Sequence, residues 1–416
     1  MKILDEFKKN KKYYISRLIT IVITVIVATL VIVLFAKTDY YKNEYTIMMN
    51  EKYGIYSKLV KAKVEDIKEE YYPGQDENLG YVLRITFSAK LLSGDNKGDV
   101  IEGVQYFSDY TLNLYRKVKE GQTIYIAEEK LSSDDIPTYY FAGDSISYNH
   151  WWGIIILALV LVILLLIISK SKGLLTIISL AFTILIIIYV LLPSIILGKN
   201  IYILTLLCAI FVIAVTFILV VGLNKKCLCA SLGCFIGLVL SGLLSVITLR
   251  IINASGYYVQ EGSEEIIEFS QTMYNAGIAI DFKGLIFAST IIGALGAVMD
   301  VSLSLSSALK EVYDNSTNTS FASTIKSGFV IGKDMIGTMV NTLILAYVAS
   351  DLTVLLWMMT HHSDGFILQS EYIAVAIAQA LVGAIAMVVT IPLTSMVCAL
   401  IYNKKGKEKL ALEEER

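Results

Sequence analysis

Histidine, proline and cysteine are scarce in this chain of 416 residues, with three, four and five copies. So few prolines beside 27 glycines exclude a collagen-like repeat and a Pro/Gly-rich disordered chain. No cysteine falls within residues 37–150, the longest polar stretch, so no disulfide framework holds that segment. Charge is scarce too. Asp, Glu, Lys and Arg make up 17% of the chain, against about 25% in soluble domains. The 35 basic residues face 37 acidic ones, which excludes nucleic-acid binding by bulk charge. No Walker loop, dinucleotide fingerprint or H-E-x-x-H run occurs, and Ser, His and acidic residues form no recognisable triad signature. The chain is therefore expected to be no enzyme and to need no cofactor or metal.

Apolar residues fill the space that charge leaves. They make up 56% of the chain, the mean hydropathy is +0.64, and the excess lies in long runs. A bilayer core about 30 Å thick needs roughly 20 apolar residues in a helix. Eight stretches qualify: 18–36, 151–169, 174–196, 201–223, 228–249, 284–306, 335–359 and 372–401. They predict a polytopic α-helical protein of the lipid bilayer with eight transmembrane helices. Its parts are a cytoplasmic N-terminus (1–17), a first span (18–36), an extracytoplasmic β-rich domain (37–150), a seven-helix membrane domain (151–401) and a charged cytoplasmic tail (402–416). Pro392 predicts a kink or tilt in the last span. The first span exceeds the roughly 7–15 apolar residues of a signal peptide. It also ends in Phe35-Ala36-Lys37-Thr38 without a small-x-small site, so it is read as a retained anchor.

Lys and Arg set the orientation. With the N-terminus inside, inner segments hold 18 basic residues and the short outer connections three, Lys199, Arg250 and Lys283. Trp151, Trp152 and Trp357 then lie at the outer interface, where amphipathic rings settle. The expected location is the cytoplasmic membrane, with both termini inside and residues 37–150 outside.

Within 37–150 the pattern changes to strand-length alternation. Tyr56–Ile67, Tyr81–Leu92, Gly98–Phe107 and Gln122–Glu128 read as strands, separated by Pro73-Gly74, Ser93-Gly94-Asp95 and Glu120-Gly121. Such strands suggest a small β-barrel or sandwich, OB-like in character. The segment carries 14 basic and 19 acidic residues and 15 of the 26 tyrosines. Tyrosines scattered over strands usually serve packing, and a sugar- or peptide-binding platform is the less common alternative.

Polar residues inside the apolar runs are more specific. An Asp at a helix centre costs about 2.5–3.5 kcal/mol on insertion scales, so it seldom occurs without a partner or a task. Asp300 is the clear case. On helical spacing Gly293, Ala297, Asp300, Ser304 and Ser307 share one face, with Gly296 beside them. Small residues above the carboxylate and hydroxyls below it predict close packing on another helix, at Gly293, Gly296 and Ala297 and at Gly337 opposite. In the next span Asp334, Thr338, Asn341 and Leu345 also form one stripe. Counting inward from the membrane edge sets Asp300 and Asn341 at one level, with Lys333 near Ser307 and Lys310. Asp300, Ser304, Thr338 and Asn341 are candidate ligands for an ion or substrate, and Lys333 with Asp334 a candidate inner gate. The competing reading is interhelical hydrogen bonding worth about 0.6–2 kcal/mol per bond. That reading accounts for Asn341 and the serines but poorly for the carboxylate.

Weaker signals lie elsewhere in the chain. Gly233, Gly237 and Ser241 predict a packing seam. The pair Cys227/Cys229 and the run His361-His362-Ser363-Asp364 fit a metal less well than ordinary helix-start and turn positions. Glu264–Ile280 reads as an amphipathic surface segment, and residues 311–333 as a flexible inner loop. No internal repeat points to an inverted-repeat transporter.

The runs G-A-L-G-A-V-M-D (293–300) and I-G-K-D-M-I-G-T-M-V-N-T-L-I-L-A-Y (331–347) resemble the motifs of the YibE/F family of bacterial membrane proteins. L-L-S-G-D-N-K-G (91–98), L-L-P-S-I-I-L-G-K-N (191–200) and V-G-L-N-K-K-C-L-C-A (221–230) extend the resemblance over about residues 50–359. It implies a polytopic bacterial membrane protein with an outer domain, and no settled activity. Where the family usually has Arg before the Asp of the second motif, this chain has Lys333, which keeps a cation but not bidentate pairing. Two functions are expected to compete. One is a permease or ion-coupled transporter of a small molecule or ion; the other is a non-transporting envelope component whose outer domain binds a partner. A homo-oligomer or a membrane partner is compatible with both.

Overall fold

The computed structural model describes residues 11–36, 56–71, 83–108, 116–130, 138–140, 151–196, 198–256, 280–316, 320–361, 367 and 369–414. Pro73-Gly74, His150, the amphipathic stretch up to residue 279 and His362-Ser363-Asp364 lie outside them. The chain divides into two compact units, Lys42–Ile167 and Met1–Tyr41 with Ile168–Arg416.

The first unit holds a five-stranded antiparallel sheet: β1 Tyr56–Tyr71, β2 Leu83–Leu91, β3 Val100–Phe107, β4 Thr123–Lys130 and β5 Thr138–Tyr140. The order β3-β2-β1-β4-β5 places the 16-residue β1 at the centre. Its first half pairs with β4 and its second with β2. The edge strands β3 and β5 approach each other, so the sheet curls toward a barrel. In β2, Leu83, Ile85, Phe87, Ala89 and Leu91 are buried and alternate with more exposed residues, the period of two that one-sided burial demands. A bulge between Val64 and Asp66 changes parity on β1, so Val60, Ala62 and Val64 and then Ile67 face the core. Gly103 lies under the Phe87 ring, which leaves no room for a Cβ. The four strands expected from the sequence are present, and β5 is an addition.

The second unit is helical: α1 Lys11–Ala36, α2 Trp151–Ile186 (which starts in the first unit), α3 Leu192–Ile196, α4 Ile201–Val220, α5 Lys225–Ile251, α6 Phe282–Asn315, α7 Phe321–Ser350, α8 Leu352–His361 and α9 Glu371–Glu414. One π turn, Ile187–Leu191, links α2 to α3. Among the described residues, seven helices are long and apolar enough to cross a membrane. Two of the eight stretches expected from the sequence, 151–169 and 174–196, lie in one helical stretch. That stretch is interrupted at Lys170, whose φ of 50° and ψ of −125° are not helical.

Capping side chains start four helices. Asn200, Asn224 and Asp281 accept from the backbone N–H three residues on, at 3.1, 2.8 and 2.9 Å. At α7, Ser320 and Ser323 form a reciprocal capping box. This corrects the flexible inner loop expected at 311–333. α6 continues to Asn315 and α7 begins at Phe321, fourteen residues before the expected 335, because the Ser/Thr cluster caps a helix. Pro392 sits inside α9, whose helix is unbroken through it.

α5, α6 and α9 pack together as the centre of the bundle. Gly233 and Gly237 let α5 close on Thr394 and Thr390 of α9, so the predicted seam exists. Gln379 of α9 donates to Ser289 of α6 at 2.6 Å. α4 packs on α5 and α6, and α1 on α4. α7 lies against α9 and α6 at the margin. Only Thr324, Gly328 and Gly332 of α7 are buried, against fifteen residues of α6, so much of its surface is open.

Candidate functional site

The candidate residues stand on α6 and α7, which run antiparallel. Two contacts fix their register. Gly293 lies against the Tyr347 hydroxyl, and Gly328 lies close to Leu309. Seven residues on from Gly293 is Asp300, and seven back from Tyr347 is Val340. Nine residues back from Leu309 is again Asp300, and nine on from Gly328 is Gly337. Asp300 is therefore level with Gly337–Val340, the turn that carries Thr338. Counted in the same way, Ser304 is level with Lys333–Ile336, and Gly296 with Asn341–Ile344. Asn341, expected at the level of Asp300, stands one residue beyond that turn, about 1.5 Å along α7.

α9 fills one side of the α6–α7 pair. Ala297 and Val301 of α6 cluster with Met387 and Ile391 of α9 and with Met339, Val340 and Leu343 of α7. Gly332 and Gly328 bring α7 onto Ile391 and Ser395. The polar residues face away from α9. Gly296, Asp300 and Ser304 are exposed on α6, and Lys333, Asp334, Gly337, Thr338 and Asn341 are exposed on α7. The two stripes run side by side along an open face.

This geometry separates the residues predicted to pack closely. Gly293 packs on Tyr347 and Ala297 is half-buried in the cluster. Gly296 and Gly337 instead border open space, with nothing within 4 Å of where a Cβ would stand. The polar residues do not satisfy one another either. Among the described residues Asp300, Ser304 and Asn341 make no side-chain hydrogen bond, and Lys333 and Asp334 no ion pair. The Thr338 hydroxyl donates to Met335 O (3.2 Å) and Ser307 to Leu303 O (2.6 Å), which leaves both oxygens able to accept or to ligate a cation. The Tyr347 hydroxyl above them is buried without a partner. Chemically, the face offers two carboxylates, Asp300 and Asp334, one amide and several hydroxyl oxygens to a hard cation or a proton, with the Lys333 ammonium beside Asp334.

The described residues contain no group of three His, Cys, Asp or Glu able to hold a metal. Cys227 and Cys229 are both buried, with free thiols.

Residues 157–404 match the protein family described as YibE/F-like protein. The chain belongs to the YibE/F family. The matched region holds α4 to α9 almost whole, including both motif runs, 293–300 and 331–347. It begins after the sheet, so the resemblance noted at 91–98 lies outside the match. No curated protein and no solved structure matches the chain.

Ser302 and Thr394 of this YibE/F bundle carry buried hydroxyls that the sequence did not single out, and Ser241 was expected only as part of a packing seam. Ser241, Ser302 and Thr394, on α5, α6 and α9, are buried with no hydrogen-bond partner for their hydroxyls. Their signal was present as Thr390 and Thr394 at i, i+4, matching Gly233 and Gly237 at the same spacing. Only the α5–α9 contact gives that spacing meaning.

Proposed function

We propose that this YibE/F protein is an ion-coupled permease of the bacterial cytoplasmic membrane, and that Asp300 is its cation- or proton-binding carboxylate. Ser304, Thr338 and Asn341 supply neutral oxygens, and Lys333 with Asp334 guards the inner approach. The reading assigns eight crossings, with both termini inside and residues 37–150 outside. The stretch 152–196 is 45 residues long, roughly 67 Å of helix, or twice a bilayer core. The non-helical Lys170 provides a natural break for two crossings. The bias of 18 inner to three outer basic residues supports the orientation.

One observation carries the assignment of Asp300. It stands mid-way along α6, exposed, without a hydrogen-bond partner among the described residues and beside a second polar stripe. Interhelical hydrogen bonding would have paired it. A carboxylate left unpaired at membrane depth fits a water-accessible ion path, where it escapes the cost of facing lipid. The same open face favours a second reading, a non-transporting component whose face is covered by another membrane protein.

Thermal unfolding of the full chain in lipid nanodiscs tests the first reading, scanned over Na⁺, K⁺ and pH at constant ionic strength. A ligand of the folded state raises stability by about 2.7 kcal/mol at 100 Kd. One cation, or a pH step, should stabilise the wild type and not Asp300→Asn. Indifference of both proteins to every ion would remove the permease reading and leave the partner-covered one.

A further inference from the structure

An apolar groove of about 650 Å³ opens on the bundle surface between α4 and α5. Ile210, Ile213 and Ile218 line it from α4, and Leu228, Leu232 and Phe235 from α5. Its polar groups are few: Asn224 and Lys225 where α5 begins, and Ser231 one to two turns along. From Lys225 to Phe235 is ten residues of helix, about 15 Å, the depth of one leaflet of a hydrocarbon core about 30 Å thick. The groove therefore has the length and character of a single acyl-chain slot, charged at one end only.

That end is strongly cationic. Lys225 and Lys226 are the first two residues of α5, and Lys172 and Lys310 lie near enough to bear on the charge of Lys226. Lys310 is paired with Asp314 at 2.6 Å, but Lys172, Lys225 and Lys226 have no acidic partner among the described residues. The α5 terminus adds to the field. Its first intrahelical bond is Leu228 N–H to Asn224 O, and the Cys227 N–H is taken by the Asn224 side chain. The N–H groups of Lys225 and Lys226 precede both, at the positive end of a 27-residue helix dipole. Like charges gathered without acids repel one another, and an anion relieves that repulsion. Basic pockets between membrane helices are the chemistry that holds anionic lipid headgroups.

We propose that the α4–α5 groove is a binding site for one anionic phospholipid. An acyl chain lies along Ile210–Ile218 and Leu228–Phe235, and the headgroup phosphate sits among Lys225, Lys226 and Lys172. The site shares no residue with the Asp300 face and stands whether or not Asp300 binds a cation.

Native mass spectrometry of the detergent-solubilised full chain tests it, with phosphatidylglycerol and phosphatidylcholine of identical acyl chains as probes. One tightly held phosphatidylglycerol is expected, with phosphatidylcholine bound far more weakly. The double variant Lys225→Gln/Lys226→Gln should weaken phosphatidylglycerol roughly twenty- to thirtyfold, at about fivefold per surface lysine. Ser231→Phe, which fills the groove, should abolish retention while the lysines remain; if that variant fails to fold, the lysine pair carries the test alone. Asp300→Asn should bind the lipid as wild type does. Equal retention of the two lipids would overturn the proposal, as would a lysine variant that binds normally. Displacement of the lipid by millimolar inorganic phosphate would also overturn it, since the headgroup would then bind without the groove.

Discussion

Gly293 of α6 lies against the hydroxyl of Tyr347 on α7, and that hydroxyl is buried with no hydrogen-bond partner. The contact anchors the register that brings Asp300 level with Thr338. It also stores two opposed costs, a glycine inside a helix and an unsatisfied oxygen, and both can be measured.

Gly293→Ala should destabilise the bundle by about 1–3 kcal/mol, the range for overpacking, because the new methyl meets the hydroxyl. Tyr347→Phe should be neutral or stabilising, since it removes a buried oxygen that bonds to nothing. Together the two changes should recover most of the loss. Denaturation of the four proteins in one lipid composition checks the cycle; additive losses would show that the contact does not set the register.

Glycines at the α5–α9 seam and glycines on the open α6–α7 face should respond in opposite ways. Gly233→Ala and Gly237→Ala force a Cβ into Thr394 and Thr390 at the α5–α9 seam, and should lower the unfolding temperature and the yield. Gly296→Ala and Gly337→Ala meet open space, and should leave stability unchanged or raise it by about 0.5–1 kcal/mol through helix propensity. Destabilisation at Gly296 or Gly337 would mean that another molecule closes on the open face.

Thr338→Val and Asn341→Leu remove neutral oxygens from an exposed stripe. Their unfolding temperatures without added cation should stay close to wild type. The cation-dependent shift expected for wild type should shrink in each and vanish in the double variant, as followed by the same nanodisc titration. An intact shift in the double variant would take Thr338 and Asn341 out of the site while leaving Asp300 in it.

The sheet has its own pH response. Lys117 donates to Tyr71 (2.7 Å) and to Glu69 (3.0 Å), and these bonds, with Tyr71 the larger influence, raise its pKa above 10.5. A raised folded-state pKa stabilises below the unfolded value and is lost as pH climbs through the folded one. The contribution is therefore complete at neutral pH and disappears only above about 10.5. The Lys117 side chain is 32% exposed at the sheet surface, so solvent screening keeps the effect small. Lys117→Met should flatten the alkaline limb of stability against pH above 10.5, measured by Tyr71-sensitive near-ultraviolet dichroism, and leave the acid limb unchanged.

Residue order along the chain determined what depends on neighbours. Runs of about 20 apolar residues mark the spans because a bilayer sets a fixed thickness. Alternation marks β1 to β4 because a sheet buries one face. Asn200, Asn224 and Asp281 cap helices whose starts lie close to the expected ones, since a cap acts over three residues. Ser320 and Ser323 obey the same rule, but in a Ser/Thr-rich run they look like a loop until α7 is seen to start there. The polar stripe around Asp300 was likewise legible from helical spacing alone.

Tertiary packing decided whether that stripe is covered. Helical spacing gives a face and not the object opposite it. Which side of α6 is filled depends on α9, about 90 residues away in sequence, through Ala297 and Val301 against Met387 and Ile391. For the same reason Gly293 proved to be a contact and Gly296 an opening, although only three positions separate them. The α4–α5 groove with its lysine end is the extreme case. Its apolar residues read as ordinary span residues and its lysines as ordinary loop residues, and only the pairing of two antiparallel helices joins them into a slot with a charged mouth.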